Sequence, residues 1–171
     1  MNNKKWRNIS ILFSLILGTI LHFTYEWSGK SVLIGAFSAV NESTWEHLKL
    51  SYFPMLVIAI IGYFLFGKNE TNYIKGNCIG IFFSIVFTIV TFYTYSGIIG
   101  TNFGIINVLI FILSVIFGEV IAYKIVGTEK KADQMTYFLL MIILFIAFVL
   151  FTYFPPKIGI FKDPITGGFG I

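Results

Sequence analysis

Both histidines of the chain lie in two short polar segments, together with three of its eight acidic residues. In the first segment, residues 22–27, His22 and Glu26 are four residues apart, so on a helix their side chains lie on the same face. An imidazole and a carboxylate at this spacing can bind one cation or transfer a proton. Together with Glu46 from the second segment, they are the candidate catalytic residues and the candidate ligands of a metal ion.

The second segment, residues 41–49, has the pattern of a helix that starts with a polar turn. Asn41 is a good N-cap, and Glu42 lies in the first turn, where a carboxylate offsets the helix dipole. Glu42, Glu46 and Lys49 then follow one another along one face, with His47 beside them. The predicted ligand-binding set is therefore His22, Glu26, Asn41, Glu42, Glu46, His47 and Lys49.

A purely interfacial role is the competing interpretation of these residues. Glu42 and Lys49 also fit a solvated turn at a membrane surface, with Trp27 and Trp45 as anchors at the level of the headgroups. His22 differs, because it lies about one turn below the end of the first apolar run. Ionisable side chains at that depth usually face a cavity or a partner.

The amino-acid composition indicates the class of protein to which these segments belong. Of the 171 residues, 57% are hydrophobic and 12% are charged, whereas a soluble domain carries about 25% charged residues. The chain has too few polar residues to form the surface of a soluble domain. This excludes soluble enzymes, nucleic-acid readers and secreted disulfide modules. An all-α, polytopic membrane bundle is the class that remains.

Five apolar runs are long enough, with their flanks, to cross about 30 Å of hydrocarbon. The predicted fold is one transmembrane domain, residues 1–171, in which residues 155–171 form a cap on the outer face. Its predicted spans are residues 9–26, 45–66, 76–95, 103–124 and 134–154.

The distribution of basic residues predicts the orientation. Eight of the twelve lie on one side of the predicted bundle: Lys4, Lys5, Arg7, Lys68, Lys75, Lys124, Lys130 and Lys131. Cytoplasmic loops carry such an excess, so the N-terminus is expected inside the cell and the C-terminus outside. The same bias accounts for the net charge of +4 without a nucleic-acid partner.

Two features inside the apolar runs complete the sequence expectations. Glu119 stands near the cytoplasmic end of the fourth run, and we expect it to reach the surface or to pair with Lys124. Gly76, Gly80 and Ser84 recur every four residues and favour close helix packing, either within the chain or between copies.

Three segments together resemble a known family of short bacterial integral membrane proteins, which is described only as a domain of unknown function. They are HFxYEW at residues 22–27, NESxWEHLK at residues 41–49 and PPxxxxFKDPxTG at residues 155–167. The resemblance implies a multi-pass protein of the bacterial cytoplasmic membrane. It implies no activity and no ligand.

Three functions remain open at this point. The first is an outward-facing site that binds or transports a cation or a small polar ligand. The second is an intramembrane hydrolase or transferase that acts on lipid or peptide at the outer leaflet with a metal or an acid/base pair. Because no HExxH or GxSxG motif is present, whether the protein is an enzyme stays uncertain. The third is a structural or assembly subunit.

The cofactor also stays open. A divalent metal is a candidate, with His22, Glu26 and Glu46 as ligands, whereas haem held by His22 and His47 is not expected. The expected partners are the lipid bilayer and a small ion or polar ligand. The oligomeric state is not fixed by the sequence.

Overall fold

Five long helices form the bundle in a computed structural model that describes residues 3–130 and 132–171. In chain order the helices are α1 (Asn3–Trp27), the short α2 (Val32–Gly35), α3 (Thr44–Leu65), α4 (Tyr73–Ile99), α5 (Gly104–Ile125) and α6 (Gln134–Tyr153). All but α2 are long and apolar enough to cross a membrane. No strand occurs in the described residues, apart from one isolated bridge between Lys162 and Phe169. The predicted all-α class with five spans is confirmed.

The helices extend further than the apolar runs at several ends. The first helix begins at Asn3 rather than near residue 9, and α4 ends at Ile99 rather than near residue 95. Hydropathy marks only the part of a helix that lies in hydrocarbon, and polar flanks can continue the same hydrogen-bond ladder beyond it.

The start of α3 differs from the predicted one. Ser43 is the N-cap, and its hydroxyl accepts the N–H of Glu46 at 3.4 Å. Asn41 instead accepts the N–H of Ser43 through Oδ1 at 2.9 Å, in a turn that precedes the helix. The prediction of Asn41 as N-cap was therefore wrong by two residues, because its side chain closes this turn first.

The connections gather at two faces of the bundle. The N-terminal face holds the start of α1 with residues 66–72 and 126–130. The C-terminal face holds residues 28–43, 100–103 and 154–171. Hydrogen bonds join separate connections on each face. The cytoplasmic location of the N-terminal face stays a prediction, and Lys131, which contributed to it, lies outside the described residues.

Small residues bring α4 and α5 together. Gly80 and Gly118 lie so close that a Cβ atom on Gly80 would collide with the carbonyl oxygen of Gly118. A Cβ atom on Gly118 would likewise lie 2.7 Å from the carbonyl oxygen of Gly80. A Cβ on Gly118 would also lie 3.2 Å from that of Ser84. The spacing of small residues on α4 therefore serves a contact within the chain.

A second close contact joins α1 to α3. Pro54 lies inside α3 and has no N–H, so the carbonyl of Leu50 lacks its usual helical partner. A Cβ on Gly18 of α1 would collide with that oxygen. Proline in α3 and glycine in α1 thus meet where the two backbones approach each other.

An aromatic cluster fills the half of the bundle nearest the C-terminal face. Tyr52 and Phe148 are fully buried and pack at 4.7 Å between ring centroids. The ring of Trp45 lies 4.7 Å from those of both Phe148 and Phe161. Because Phe161 belongs to the C-terminal segment, this segment is packed into the fold rather than loose.

Glu119 lies inside the bundle, contrary to the expectation that it reaches the surface. It is only 6% exposed and lines a small pocket with Arg7 and Tyr73. No ion pair between Glu119 and Lys124 occurs in the described part of the chain. The expectation failed because this face of α5 packs against α1 and α4, whose residues Arg7 and Tyr73 share the pocket with Glu119.

The close contact of α4 with α5 yields a stability prediction. Gly80→Ala is expected to lower the free energy of unfolding by about 1–3 kcal/mol, since the new methyl group overpacks the interface. The matched control is Gly97→Ala on the same helix, where a Cβ would meet no atom within 4 Å. Thermal unfolding in a neutral detergent, followed by tryptophan fluorescence, compares the two. Equal midpoints would contradict this account of the interface.

Candidate functional site

A buried ion pair joins Glu46 and Lys49 at the start of α3. The Lys49 Nζ atom lies 2.6 Å from Glu46 Oε2, and the two side chains are 0% and 2% exposed. Lys49 also donates to the carbonyl oxygens of Gly35 at 2.8 Å and Ser38 at 3.1 Å. The three protons of the ammonium group are thereby all used within the protein.

Glu46 is held by two further contacts. The N–H of Val40 donates to Oε2 at 3.1 Å, and the Thr152 hydroxyl lies 3.2 Å from Oε1, where its one proton is shared with the carbonyl oxygen of Phe148 at 2.9 Å. The pair therefore connects α3 to the 28–43 connection on one side and to α6 on the other. This arrangement is that of a structural ion pair, whose groups are already satisfied.

A different group of residues lies close enough together that it could hold a metal ion. One ligand atom from each of His22, Glu42 and His47 lies within 4.8 Å of the other two. The ring centroids of the two histidines are 5.3 Å apart, and His47 Nε2 lies 3.4 Å from Glu42 Oε2. His22 comes from the last turns of α1, while Glu42 and His47 flank the start of α3.

The two histidines differ in how they are held. His47 Nδ1 lies 3.0 Å from the carbonyl oxygen of Ser43, which can only accept, so Nδ1 carries a proton and Nε2 is the nitrogen with a lone pair when the ring is neutral. His22 Nδ1 is buried and has no hydrogen-bond partner in the part of the chain that the structure describes. An unpartnered buried nitrogen costs about 1–3 kcal/mol, which a bound ligand would recover.

Glu26 and Asn41 lie elsewhere. Glu26 is 64% exposed and pairs with Lys30 at 3.6 Å, on the outside of α1. Asn41 donates to the carbonyl oxygen of Gly170 at 3.0 Å and so fixes the C-terminal segment. Of the seven residues predicted to bind a ligand, the structure brings His22, Glu42 and His47 together and places the other four in these structural contacts.

The predicted metal set of His22, Glu26 and Glu46 shares only His22 with the observed group. Glu26 has the right spacing for a helix, but its face points away from α3. Glu42 was placed on the predicted helix with Glu46, whereas it lies in the turn before α3 begins, where helical spacing does not apply. Its sequence distance of five from His47 carried no periodic signal.

The C-terminal segment folds back beside this group. Burial raises the pKa of Asp163, but hydrogen bonds from the Thr166 hydroxyl and from the N–H groups of Ile165, Thr166 and Glu42 outweigh it and lower the pKa below its ordinary value. The Thr166 bond measures 2.6 Å and the Ile165 bond 3.0 Å. The carboxylate of Asp163 thus closes a turn and fixes the backbone at Glu42.

A cavity of about 370 Å³ opens between α3, α4 and α5 at the C-terminal face. Glu42 and His47 belong both to the lining of this cavity and to the group that they form with His22. We call it the α3–α4–α5 cavity, and its remaining lining residues are Thr44, Leu50, Ser51, Thr88, Phe92, Asn102, Asn107, Ile110, Phe111, Pro164 and Ile165.

Five helices that are long and apolar enough to span a membrane, with a polar cluster beneath one face, are the features of a multi-pass membrane protein of the helical class. The chain belongs to a family of unknown function, DUF6512, whose model matches residues 1–171. The resemblance to an uncharacterised family is thereby confirmed. No curated protein and no solved structure matches the chain.

The buried ion pair gives a second prediction. Lys49→Met is expected to destabilise the protein by about 3–5 kcal/mol, because it leaves the Glu46 carboxylate buried without its counter-ion. The matched control is Lys30→Met, which removes an exposed pair worth at most about 1 kcal/mol. Unfolding in a neutral detergent measures both. In Glu46→Gln/Lys49→Met part of the loss should return, and a Lys49→Met variant as stable as Lys30→Met would contradict the assignment.

The Asp163 turn gives a pH-dependent prediction. Because the folded-state pKa is lowered, the turn contributes stability above the ordinary aspartate pKa of about 3.9 and loses it as the pH falls further, through the folded-state value. Limited proteolysis across this range should release the C-terminal segment at acid pH. Asp163→Asn removes the titrating group, so its cleavage should not follow the same curve. Identical curves for both proteins would show that another group controls the segment.

Proposed function

We propose that the protein binds a divalent transition-metal cation, such as Zn²⁺, through His22, Glu42 and His47. The observation that carries the proposal is the convergence of two imidazoles and one carboxylate within 4.8 Å. Two histidines and one glutamate form a common ligand set for zinc, and it leaves a fourth position open.

The distances suit this chemistry after a small adjustment. Ligands at about 2.0–2.1 Å from a tetrahedral ion lie about 3.3 Å from one another, close to the 3.4 Å between His47 Nε2 and Glu42 Oε2. The remaining separations must shorten. The Glu42 side chain is 46% exposed and precedes α3, so it is the ligand with freedom to move.

The hydrogen bonds that hold the proposed ligands support the same proposal. A histidine that binds a metal through one nitrogen usually donates from the other to a carbonyl or carboxylate. His47 does so to Ser43, and that bond leaves Nε2 available. The N–H of Glu42 is in turn held by Asp163, so two of the three proposed ligands have backbone or side-chain support.

The proposed location follows from the charge distribution and the family resemblance. The excess of Lys and Arg near the N-terminal face supports a cytoplasmic N-terminus, which would place the metal site on the outer side of a bacterial cytoplasmic membrane. The proposed partners are then the lipids of the bilayer and a cation from outside. A site with three protein ligands suits exchangeable binding better than a permanent structural role.

Metal analysis of the purified protein tests the proposal. Apo-protein in a neutral detergent, titrated with Zn²⁺, should bind one ion per chain. His22→Ala, Glu42→Gln and His47→Ala should each weaken binding by more than about tenfold, equivalent to about 1.4 kcal/mol.

The matched control for this experiment is Glu26→Gln. It removes an acidic group near the same face that the structure pairs with Lys30 rather than with the site, and its zinc affinity should equal that of the wild type. Absence of stoichiometric zinc in the wild type, or an equal loss in Glu26→Gln, would overturn the proposal.

A further inference from the structure

The α3–α4–α5 cavity shares two residues with the proposed metal site, and two hydroxyl groups of its lining can only accept hydrogen bonds from a ligand. Ser51 and Thr88 both line it, and each hydroxyl already donates its proton to a backbone carbonyl. Ser51 donates to Leu48 at 3.1 Å, and Thr88 donates to Ser84 at 3.0 Å. Each oxygen therefore has only lone pairs to offer the cavity.

Glu42 and His47 continue this pattern, whereas the two asparagines do not. Glu42 is a carboxylate, and His47 gives its Nδ1 proton to Ser43, so Nε2 of the neutral ring is an acceptor. Asn107 Oδ1 accepts from the Tyr95 hydroxyl, and the amide nitrogen of Asn107 donates one of its two protons to Asn102 Oδ1 at 3.2 Å. The remaining amide protons of Asn102 and Asn107 are donors in the lining. The lining residues include no Lys or Arg in the described chain.

The lone pairs of Ser51 and Thr88, together with the negative charge of Glu42, favour a cation that donates hydrogen bonds. A metal ion surrounded by water is such a species, because every water in its first shell turns its protons outward. Six waters occupy about 180 Å³ at about 30 Å³ each, so the cavity of about 370 Å³ accommodates a hydrated ion. The apolar walls, which include Ile110 and Phe111, leave its shell to the oxygens.

We infer that the α3–α4–α5 cavity is a second, outer-sphere cation site, which holds the hydrated divalent metal before it reaches the histidines. This inference rests on the proposed metal function and adds the form in which the ion arrives. In the cavity, the water shell donates to Ser51, Thr88 and Glu42. Transfer to the ligand site then exchanges shell waters for His47 and His22, while Glu42 contacts the ion in both positions.

Hexaamminecobalt(III) is the probe that separates the two sites. Its ammonia ligands donate hydrogen bonds outward as shell waters do, and they exchange too slowly for a histidine to replace them. Calorimetry in a neutral detergent should therefore detect binding to the wild type. His22→Ala removes a metal ligand that does not line the cavity, so it should retain this binding within about twofold while it loses zinc.

Two variants of the cavity test its role. Ile110→Trp should fill the space and weaken hexaamminecobalt(III) binding by more than about tenfold. Ser51→Ala/Thr88→Val changes the shape little and removes two acceptors, and it should weaken binding by about threefold or more. The control is Val108→Trp on the same helix, whose side chain is 56% exposed on the outside of the bundle. Its binding should be unchanged.

The outcomes distinguish this inference from the proposed function. Zinc binding without hexaamminecobalt(III) binding would overturn the inference and leave the metal site intact. Hexaamminecobalt(III) binding that is equal in the wild type and in both cavity variants would also overturn it. Absence of zinc binding in the wild type would overturn the proposed function and this inference with it. Loss in the double variant, with an unchanged unfolding midpoint, would support the inference.

Discussion

The ion pair between Lys49 and Glu46 is the contact on which the C-terminal face depends. Taking two charges out of water costs several kcal/mol per ion, so such a pair persists only where further hydrogen bonds complete it. Here those bonds come from Gly35, Ser38 and Val40 in one connection and from Thr152 in the last helix. Three parts of the chain are thereby bound to one charged pair.

The position of the proposed metal site follows from this constraint. Since Val40 is fixed to Glu46, the backbone of the turn at residues 41–43 has little freedom before α3 begins, and it places the exposed side chain of Glu42 beside His47. The first helix then brings His22 against the same place through its close approach at Gly18. On α3, the side chains of Glu46 and Lys49 face the 28–43 connection and α6, whereas the side chain of His47 faces α1.

Much of the fold could be read from the sequence, because membrane helices are encoded by long apolar runs that need no knowledge of tertiary contacts. All five runs correspond to helices. Predictions from neighbouring residues in the sequence were less successful where tertiary contacts determine the conformation of a side chain. Asn41 has the residue type of an N-cap but closes a turn, and Glu119 was expected at a surface that the packing of α5 against α4 removes.

The candidate site shows even more clearly that local sequence patterns do not specify tertiary contacts. The concentration of polar residues between positions 22 and 49 marked the region in which the structure brings His22, Glu42 and His47 together, since a bundle with few charges leaves few places for chemistry. Helical spacing, however, grouped Glu42 with Glu46 and His22 with Glu26. The structure separates both pairs, because one of them spans a helix start and the other lies on a face that turns outward. The pairing of His22 with His47 depends on how α1 crosses α3, which no local pattern specifies.

The hydrogen bond from Asn41 to Gly170 and the bond from Thr152 to Glu46 also constrain how the protein is made. Both partners at the far end of these bonds are synthesised more than one hundred residues after the segment that they hold. While the chain is being inserted, α1 and α3 can pack, but the turn that carries Glu42 lacks its late supports. The three proposed ligands therefore reach their final arrangement only after the last long helix and the segment behind it have joined the bundle, so an incomplete chain would bind the proposed metal poorly. The contacts of Gly170 with Asn41 and of Thr152 with Glu46 therefore form last during synthesis, and they complete the candidate site.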